Sequence, residues 1–325
     1  MKTTTKPGSR QLSLSFCPID LFQRCGALPG AGSVLSKVLL ILCLCLSLPA
    51  LPVSCSRDAL QDSGPKPEPP VVVDSVLTRI RMDCGEQSVR RLDLFIYSAG
   101  GTRPLEHHLR YDALPEEAFG LPTLPGEKIL VGIANSPHDF NLNALARYDA
   151  MEQLAFLFSD DDPAFPVLGG RTVTVSNAGE VRLTPLLCRV RLAAVSNSMD
   201  GYELLEDPAV RLCDMPNAAE ILREKDFRPT ELIDSEVWTP LPYDVGFFTQ
   251  EPGIELWCYP NDTPETTLGV PRPTLEFRCR IRGGNCSFQV PLPPLPRASS
   301  VDVELTIDGP GSLRYKVRQT DSIDE

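Results

Sequence analysis

The sequence is poor in the residues and motifs from which catalytic and metal sites are built. It has three histidines in 325 residues, no CxxC pair, and no cysteine–histidine cluster with zinc spacing. His107 and His108 are adjacent and are interpreted as surface polar residues. The GxSxG, HExxH, P-loop and GxGxxG patterns of hydrolases, metalloproteases and nucleotide-binding proteins are also absent. We therefore expect a protein that is not an enzyme and that uses no cofactor or metal.

Basic charge and long apolar runs are scarce as well. The chain has 31 lysines and arginines against 43 acidic residues, and residues 1–55 hold five of those bases and one of the acids. The remainder therefore has 26 bases, 42 acids and a net charge of −16. Such a surface does not suit nucleic acid or an anionic membrane surface as a partner. The most apolar run covers 11 residues, 38–48, whereas a membrane span takes about 20.

That apolar run forms the centre of an export signal. Lys37 precedes residues 38–48 (VLLILCLCLSL), and residues 51–55 (LPVSC) follow them. Because it ends on Cys55, the segment resembles a bacterial lipoprotein signal, in which the cysteine is acylated and becomes the first mature residue. Pro52 departs from that pattern, which prefers leucine three residues before the cysteine. The alternative is an ordinary cleaved signal with a coincidental cysteine.

Residues 1–54 are accordingly interpreted as a leader and signal peptide, and residues 55–70 as a tether. Residues 56–70 contain four prolines and one glycine, which disfavour helix and sheet. They favour an extended chain with a rise of about 3.1 Å per residue. Such a tether would hold a folded body away from a lipid on Cys55.

Beyond the tether, apolar and polar residues alternate with a period of two. This pattern is typical of strands with one buried and one solvated face, as in antiparallel sheets. Lys128–Ala134 is more continuously apolar and predicts a central strand. The predicted inward-facing series are Val76/Thr78/Ile80/Met82, Leu186/Cys188/Val190/Leu192/Ala194, Leu275/Phe277/Cys279/Ile281 and Val301/Val303/Leu305/Ile307.

One segment has helical spacing instead. Apolar residues between Leu142 and Phe158 recur every three or four positions, and an Asp-rich stretch ending at Pro163 stops them. The sequence thus predicts a mainly β fold, with two tandem β-sandwich domains and one short helical crossover in the first. The predicted limits are 71–222 for the N-terminal domain and 223–318 for the C-terminal domain. Residues 319–325 are predicted to form an acidic tail.

Two cysteines lie close together in the C-terminal domain. Cys279 and Cys286 flank a Gly283-Gly284 turn and fall on the same face of a predicted hairpin. They could form a disulfide, or both could be free cysteines in the core.

The order of these segments resembles the fimbrillin superfamily of Bacteroidales-type (type V) pili, including its minor and anchor subunits. The matching blocks are residues 92–97 (LDLFIY), 127–135 (EKILVGIAN), 186–195, 256–261 (LWCYPN), 272–281 (RPTLEFRCRI), 288–293 (FQVPLP) and 297–312 (RASSVDVELTIDGPGS). The resemblance implies two transthyretin-like sandwiches and assembly with other fimbrial subunits. It also implies a surface-exposed, lipid-anchored protein of the outer membrane that could contact a host or bacterial surface ligand.

The resemblance further implies a site of assembly. In shaft subunits of that family, cleavage after an arginine behind the first strand removes the strand, and a neighbour's strand fills the groove. Here the first strand would be residues 76–82, and the loop after it holds Arg90 and Arg91. Shaft subunits continue well past the Gly-Pro-Gly turn to supply a donor strand, whereas this chain has only residues 313–325 there. The difference favours an anchor, tip or accessory subunit.

A surface glycan-binding lipoprotein with β-sandwich domains is the alternative function. Trp238, Trp257 and Tyr259 could stack on sugar rings, or they could serve in packing. A common exposed face for the three rings would favour the glycan-binding interpretation.

Overall fold

The computed structural model describes residues 75–174, 177–201, 203–264, 267 and 269–320. The export signal, Cys55 and the tether lie outside these residues. Within them, strands dominate, with one α-helix, α1 (Tyr148–Glu152), and one short 3-10 helix (Phe158–Asp160). The strands form two successive β-sandwiches, which confirms the predicted mainly β fold with a short helix in the first sandwich.

The first sandwich packs a three-stranded sheet on a five-stranded one. The small sheet consists, in order, of β4 (Phe119–Thr123), β1 (Val76–Asp83) and β8 (Ala178–Arg182). β1 is antiparallel to β4 and parallel to β8. The larger sheet is antiparallel and consists, in order, of β3 (Leu105–Tyr111), β2 (Leu92–Ser98), β5 (Lys128–Ala134), β7 (Leu168–Thr174) and β9 (Thr184–Pro185).

The five-stranded sheet is covered on both faces, which explains the unbroken apolar sequence of its central strand. One face of β2 packs under β1 and β8, through Leu92, Leu94 and Ile96. Its other face, with Phe95 and Tyr97, packs under α1 and two short strands, β6 (Ala155–Leu157) and β13 (Ala218–Glu220). Every residue of β5 is buried, as the sequence predicts for a central strand.

The second sandwich consists of two four-stranded sheets around one apolar core. One sheet contains, in order, β16 (Ile254–Cys258), β10 (Cys188–Asn197), β19 (Ser300–Gly309) and β20 (Ser312–Thr320). The other contains β15 (Thr239–Pro240), β11 (Glu206–Cys213), β17 (Thr274–Ile281) and β18 (Gly284–Pro291). β10 and β19 are parallel neighbours, and the remaining pairs are antiparallel. A further short pair joins β12 (Met215–Pro216) to β14 (Leu232–Ile233).

The alternation predicted for the strands is confirmed in both sandwiches. Thr78, Ile80 and Met82 of β1 are buried, as are the inward-facing series of β17 and β19. In β10 the series ends early, because the register shifts between Leu192 and Ala194. This bulge reverses the facing of the strand, so that Val195 is buried in place of Ala194.

The helix is shorter than the helical spacing predicts. Only Tyr148–Glu152 is α-helical, and Ala155–Leu157 forms β6, which pairs with β13 more than 60 residues away. Upstream, the Asn141 side chain accepts hydrogen bonds from the backbone N–H groups of Asn143 and Ala144 and forms a turn. Pairing with a distant strand and a local turn therefore replace helix at both ends of the predicted segment.

The chain passes from the first sandwich to the second earlier than the predicted boundary at residue 222. β10 and β11 pair with strands of the second sandwich, so the change falls between β9 and β10. Residues 218–227 then return to the first sandwich, where Ile221, Leu222 and Phe227 join its core. β20 extends to Thr320, two residues into the predicted acidic tail. Local periodicity identifies the strands but carries no information on these distant partners.

Candidate functional site

The first strand, β1, lies in the middle of its sheet and fills a groove between β4 and β8. Residues 76–80 pair with β4, and residues 79–83 pair with β8. The Arg79 N–H donates to the Asn177 carbonyl at 2.8 Å, and the Leu183 N–H donates to the Asp83 carbonyl at 2.7 Å. Without β1, both neighbouring strands would expose unpaired backbone edges.

Alternate side chains of β1 point into separate subsites of this groove. The Thr78 and Thr123 hydroxyls are hydrogen-bonded at 2.8 Å in a buried position. Ile80 is fully buried. Met82 lies directly over Gly132 of β5, where a Cβ atom would fall well inside van der Waals contact with the methionine methyl group. The absence of a side chain at Gly132 therefore creates the space that Met82 occupies.

The two candidate processing residues in the loop after β1 have different environments. Arg90 is exposed, its guanidinium stacks over the Phe165 ring, and its N–H donates to the Asn135 side chain at 2.9 Å. The Arg91 side chain is only 22% exposed, and its Nε donates to Asp93 Oδ2 at 2.7 Å. Of the two, Arg90 is the more accessible to a protease.

Asp93 is the buried centre of a charge cluster, here called the Asp93 cluster, which consists of Asp93, Arg91, His108, Arg110 and Asp139. The Asp93 carboxylate has no solvent exposure and lies 2.8 Å from His108 Nε2 and 3.0 Å from Arg110 Nε. Asp139 Oδ1 lies 3.0 Å from both Arg91 and Arg110. The hydrogen bond to Asp93 is the main cause of a raised pKa of Arg110. The cluster thus ties the end of the β1–β2 loop to strands β2 and β3.

The Asp93 cluster corrects the interpretation of one histidine. His108 is largely buried, because its ring stacks on Phe95 with 4.6 Å between centroids while it contacts Asp93. The sequence offered one signal, an aspartate within the apolar series of β2 that a basic partner would have to neutralise.

The two sandwiches are joined by a half-buried arginine that sequence reasoning missed. Arg297 lies in the loop before β19, and burial lowers its pKa to about 10. Its guanidinium donates to five backbone carbonyls, all of them distant in sequence from Arg297. The acceptors are Gly169, Thr184, Pro185, Ile221 and Arg223, at 2.6–3.2 Å. Arg297 therefore hydrogen-bonds several segments of the first sandwich to the loop before β19.

Cys279 and Cys286 lie directly opposite each other on β17 and β18. The turn that joins the strands is Arg282-Gly283, both with positive φ, rather than the Gly283-Gly284 turn assumed from the sequence. The two sulfurs are not bonded in the structure, where burial raises the pKa of the Cys279 thiol to about 12. The disulfide stays a prediction, and alkylation of the unfolded, non-reduced protein followed by mass spectrometry would detect it.

The three aromatic residues considered for glycan binding do not share a face. Trp238 lies on the outer face of the second sandwich between Arg211 and Arg278, 4.6 and 4.1 Å from its ring. Trp257 packs against the core of the first sandwich. Tyr259 is fully buried and donates its hydroxyl to the Leu157 carbonyl. This arrangement does not favour the glycan-binding alternative.

The part of the chain that the structure describes contains no group of three or more His, Cys, Asp or Glu side chains placed to hold a metal ion. Nor does any helix there have the length and apolarity to span a membrane.

Comparison with known proteins gives matches by fold but not by sequence. No protein-family model matches the chain, and no curated protein matches it. A Parabacteroides distasonis protein assigned to cell adhesion superposes with a TM-score of 0.57 at 14% identity, covering 75% of this chain and 96% of its own. A Bacteroides eggerthii protein of the same description has a TM-score of 0.53 at 12% identity, with coverages of 76% and 95%.

A fimbrilin of Porphyromonas gingivalis W83 also has this fold. It superposes with a TM-score of 0.51 at 12% identity and covers 75% of this chain and 96% of its own. At these identities the likeness concerns the fold. The chain has the fimbrillin-type fold, as the resemblance in its sequence predicts.

Proposed function

We propose that this chain is a non-enzymatic subunit of a bacterial surface fimbria, attached to the outer membrane by a lipid on Cys55. The observation that carries the proposal is the shared fold with a fimbrilin and with two proteins assigned to cell adhesion. The lipoprotein-type signal that ends at Cys55 supports the attachment. The partners of the chain would be other fimbrial subunits, and it could contact a host or bacterial surface ligand.

Within the fimbria, we assign the chain to an anchor or accessory position in which β1 stays in its own groove. A protease that cuts after arginine must bind the arginine side chain, and Arg91 is held by Asp93 and Asp139. Both edges of β1 are paired, and its inward side chains fit their subsites closely. In the alternative, a tip or shaft subunit, cleavage would fall after the exposed Arg90 and would vacate the groove for a strand of a neighbouring subunit.

Lipid attachment is tested by replacing Cys55 with alanine. Two or three acyl chains, each contributing about 0.8 kcal/mol per buried CH₂, would hold the wild-type protein in the membrane fraction. The C55A protein should lose the lipid and appear in the soluble fraction or the medium. C45A, which changes a cysteine inside the apolar run, is the matched control and should remain lipidated. An unlipidated N-terminus on the wild-type protein would refute the attachment.

Fimbrial membership is tested on cells. Immunogold labelling should place the chain on surface filaments or at their bases, and deletion of the chain should shorten, release or abolish those filaments. If filaments are unchanged and unlabelled, the chain is not a fimbrial subunit.

A further inference from the structure

The last strand, β20, forms an open and unusually accessible sheet edge. It has nine residues, more than any other edge strand in the described part of the chain, and contains neither proline nor glycine. Prolines, which block pairing, occur in four other edge strands of the sheets with three or more strands: Pro122 in β4, Pro185 in β9, Pro240 in β15 and Pro291 in β18. β20 therefore keeps the features that allow a further strand to pair.

The inner face of β20 is apolar but incompletely covered. Leu313 and Val317 are half-buried against the core of the second sandwich, whereas Tyr315 between them is 46% exposed. A strand added beyond β20 would place alternate side chains next to these three residues. Apolar residues at those positions would extend the core and cover Tyr315.

The outer face of this sheet carries columns of alternating charge. Arg189 of β10 pairs with Glu255 of β16 at 3.3 Å, and Arg191 pairs with Asp302 of β19 at 3.9 Å. On this face, β16 thus carries one acid, β10 carries two bases, and β19 carries acids again.

β20 adds a basic column at the end of that series. Arg314, Lys316 and Arg318 point outward and are 62–73% exposed. Asp308 pairs with Arg314 at 2.6 Å, and Glu304 pairs with both Lys316 and Arg318, at 3.9 and 2.6 Å. The next column in the alternation would be acidic.

We propose that the edge of β20 binds an extended segment of a partner subunit in which apolar and acidic residues alternate. The inference rests on the proposed function, because it names the partner chemistry for assembly of a subunit that keeps β1. Backbone pairing would supply the affinity, and the two faces would select the sequence.

The same charges disfavour pairing between two copies of this chain. Two β20 edges placed side by side would bring three cations against three cations, and like charges directly opposite each other are destabilising. The basic column would therefore prevent self-association through this edge while leaving it open to an acidic strand. We expect the purified chain not to dimerise through β20.

The test uses the full chain and two labelled peptides. The first peptide has the sequence of residues 300–309 (SVDVELTIDG), which alternates apolar and acidic residues and is the natural neighbour of β20. The second has lysine in place of its three acidic residues. Fluorescence anisotropy should show binding of the acidic peptide and little binding of the lysine peptide. Equal binding of the two, or no binding of either, would overturn the proposal.

Charge reversal on β20 makes the test specific to this edge. Lys316→Glu should weaken binding of the acidic peptide by about tenfold and strengthen that of the lysine peptide. Lys225→Glu, the same change at an exposed lysine of the segment between β13 and β14, should alter neither affinity. If K316E has no effect, the peptide binds elsewhere and the assignment to β20 fails. A failed C55A experiment would refute lipid attachment and leave this result unaffected.

Discussion

The two sandwiches each pack two sheets face to face, but they keep their strands together in different ways. The second has one core of 23 buried apolar residues shared by both sheets, whereas the core of the first is divided by its larger sheet into groups of 17 and 11. The first sandwich also contains buried charge, at Asp93 and in the Lys128–Glu106 pair. Its β1 belongs to the smaller group and is held by specific fits rather than by a large apolar area.

The second sandwich is thus stabilised mainly by one shared apolar core, whereas β1 of the first is held mainly by specific side-chain fits. A large shared core makes the central strands of the second sandwich costly to remove, because β10, β17 and β19 each contribute four buried side chains to it. In the first, β1 contributes Ile80, Met82 and a buried hydroxyl pair, and its position depends on the matching surfaces of β4, β5 and β8. We therefore expect substitutions in the core of the second sandwich to lower the free energy of unfolding of the whole chain. Substitutions around β1 should mainly weaken the binding of that strand in its groove.

The largest effect is expected in the shared core. Phe277→Ala should lower the free energy of unfolding by about 3–5 kcal/mol, because it removes a fully buried aromatic ring and leaves a cavity. Chemical denaturation monitored by circular dichroism would measure it. Arg278→Ala, at the neighbouring outward position, should cost about 1 kcal/mol or less, mainly through lost contact with Trp238. Equal losses for the two variants would contradict the assigned facing of β17.

A somewhat smaller effect is expected from the Asp93 cluster. Asp93→Asn should cost about 2–3 kcal/mol, because it leaves the largely buried guanidinium of Arg91 and the more exposed guanidinium of Arg110 without their main counter-charge. It should also release Arg91 and accelerate trypsin cleavage of the β1–β2 loop. Asp139→Asn is the control, because its carboxylate is 77% exposed and its pairs should contribute at most about 1 kcal/mol. Unchanged cleavage in D93N would show that the cluster does not protect the loop.

The smallest effect is expected at the Met82 subsite. Gly132→Ala should cost about 1–3 kcal/mol, since the new methyl group meets the end of Met82 and a Leu183 methyl group. Met82→Ala opens space at the same point, so the double variant should be less destabilised than the sum of the two single changes. Strict additivity of the two losses would mean that Met82 and Gly132 do not form a common subsite.

Sequence reasoning succeeded where a strand has one buried and one solvent-exposed face. The alternation in β1, β17 and β19 follows directly from that environment, and the continuous apolar run of β5 follows from burial on both sides. It failed where the structure depends on distant partners. The pairing of β6 with β13 replaces a predicted helix, and the pairing of β10 with β19 moves the boundary between the sandwiches.

Polar residues of the interior were the hardest to predict. Arg297 and Asp93 have their roles only because the fold brings carbonyls or bases to them from other segments. In the sequence, each is one charged residue among many. The sequence places both candidate processing residues in one loop. It does not predict that Arg90 is exposed while Arg91 is ion-paired with Asp93, because that difference depends on contacts of the folded chain.

We propose that β1 remains in its own groove in the mature protein and that a lipid on Cys55 anchors the chain. N-terminal sequencing and intact mass analysis of the chain recovered from the outer membrane would decide this. We expect a blocked N-terminus with an acylated Cys55 and an unbroken chain through Arg90 and Arg91. A free N-terminus at Arg91 or Leu92 would show instead that β1 has been removed.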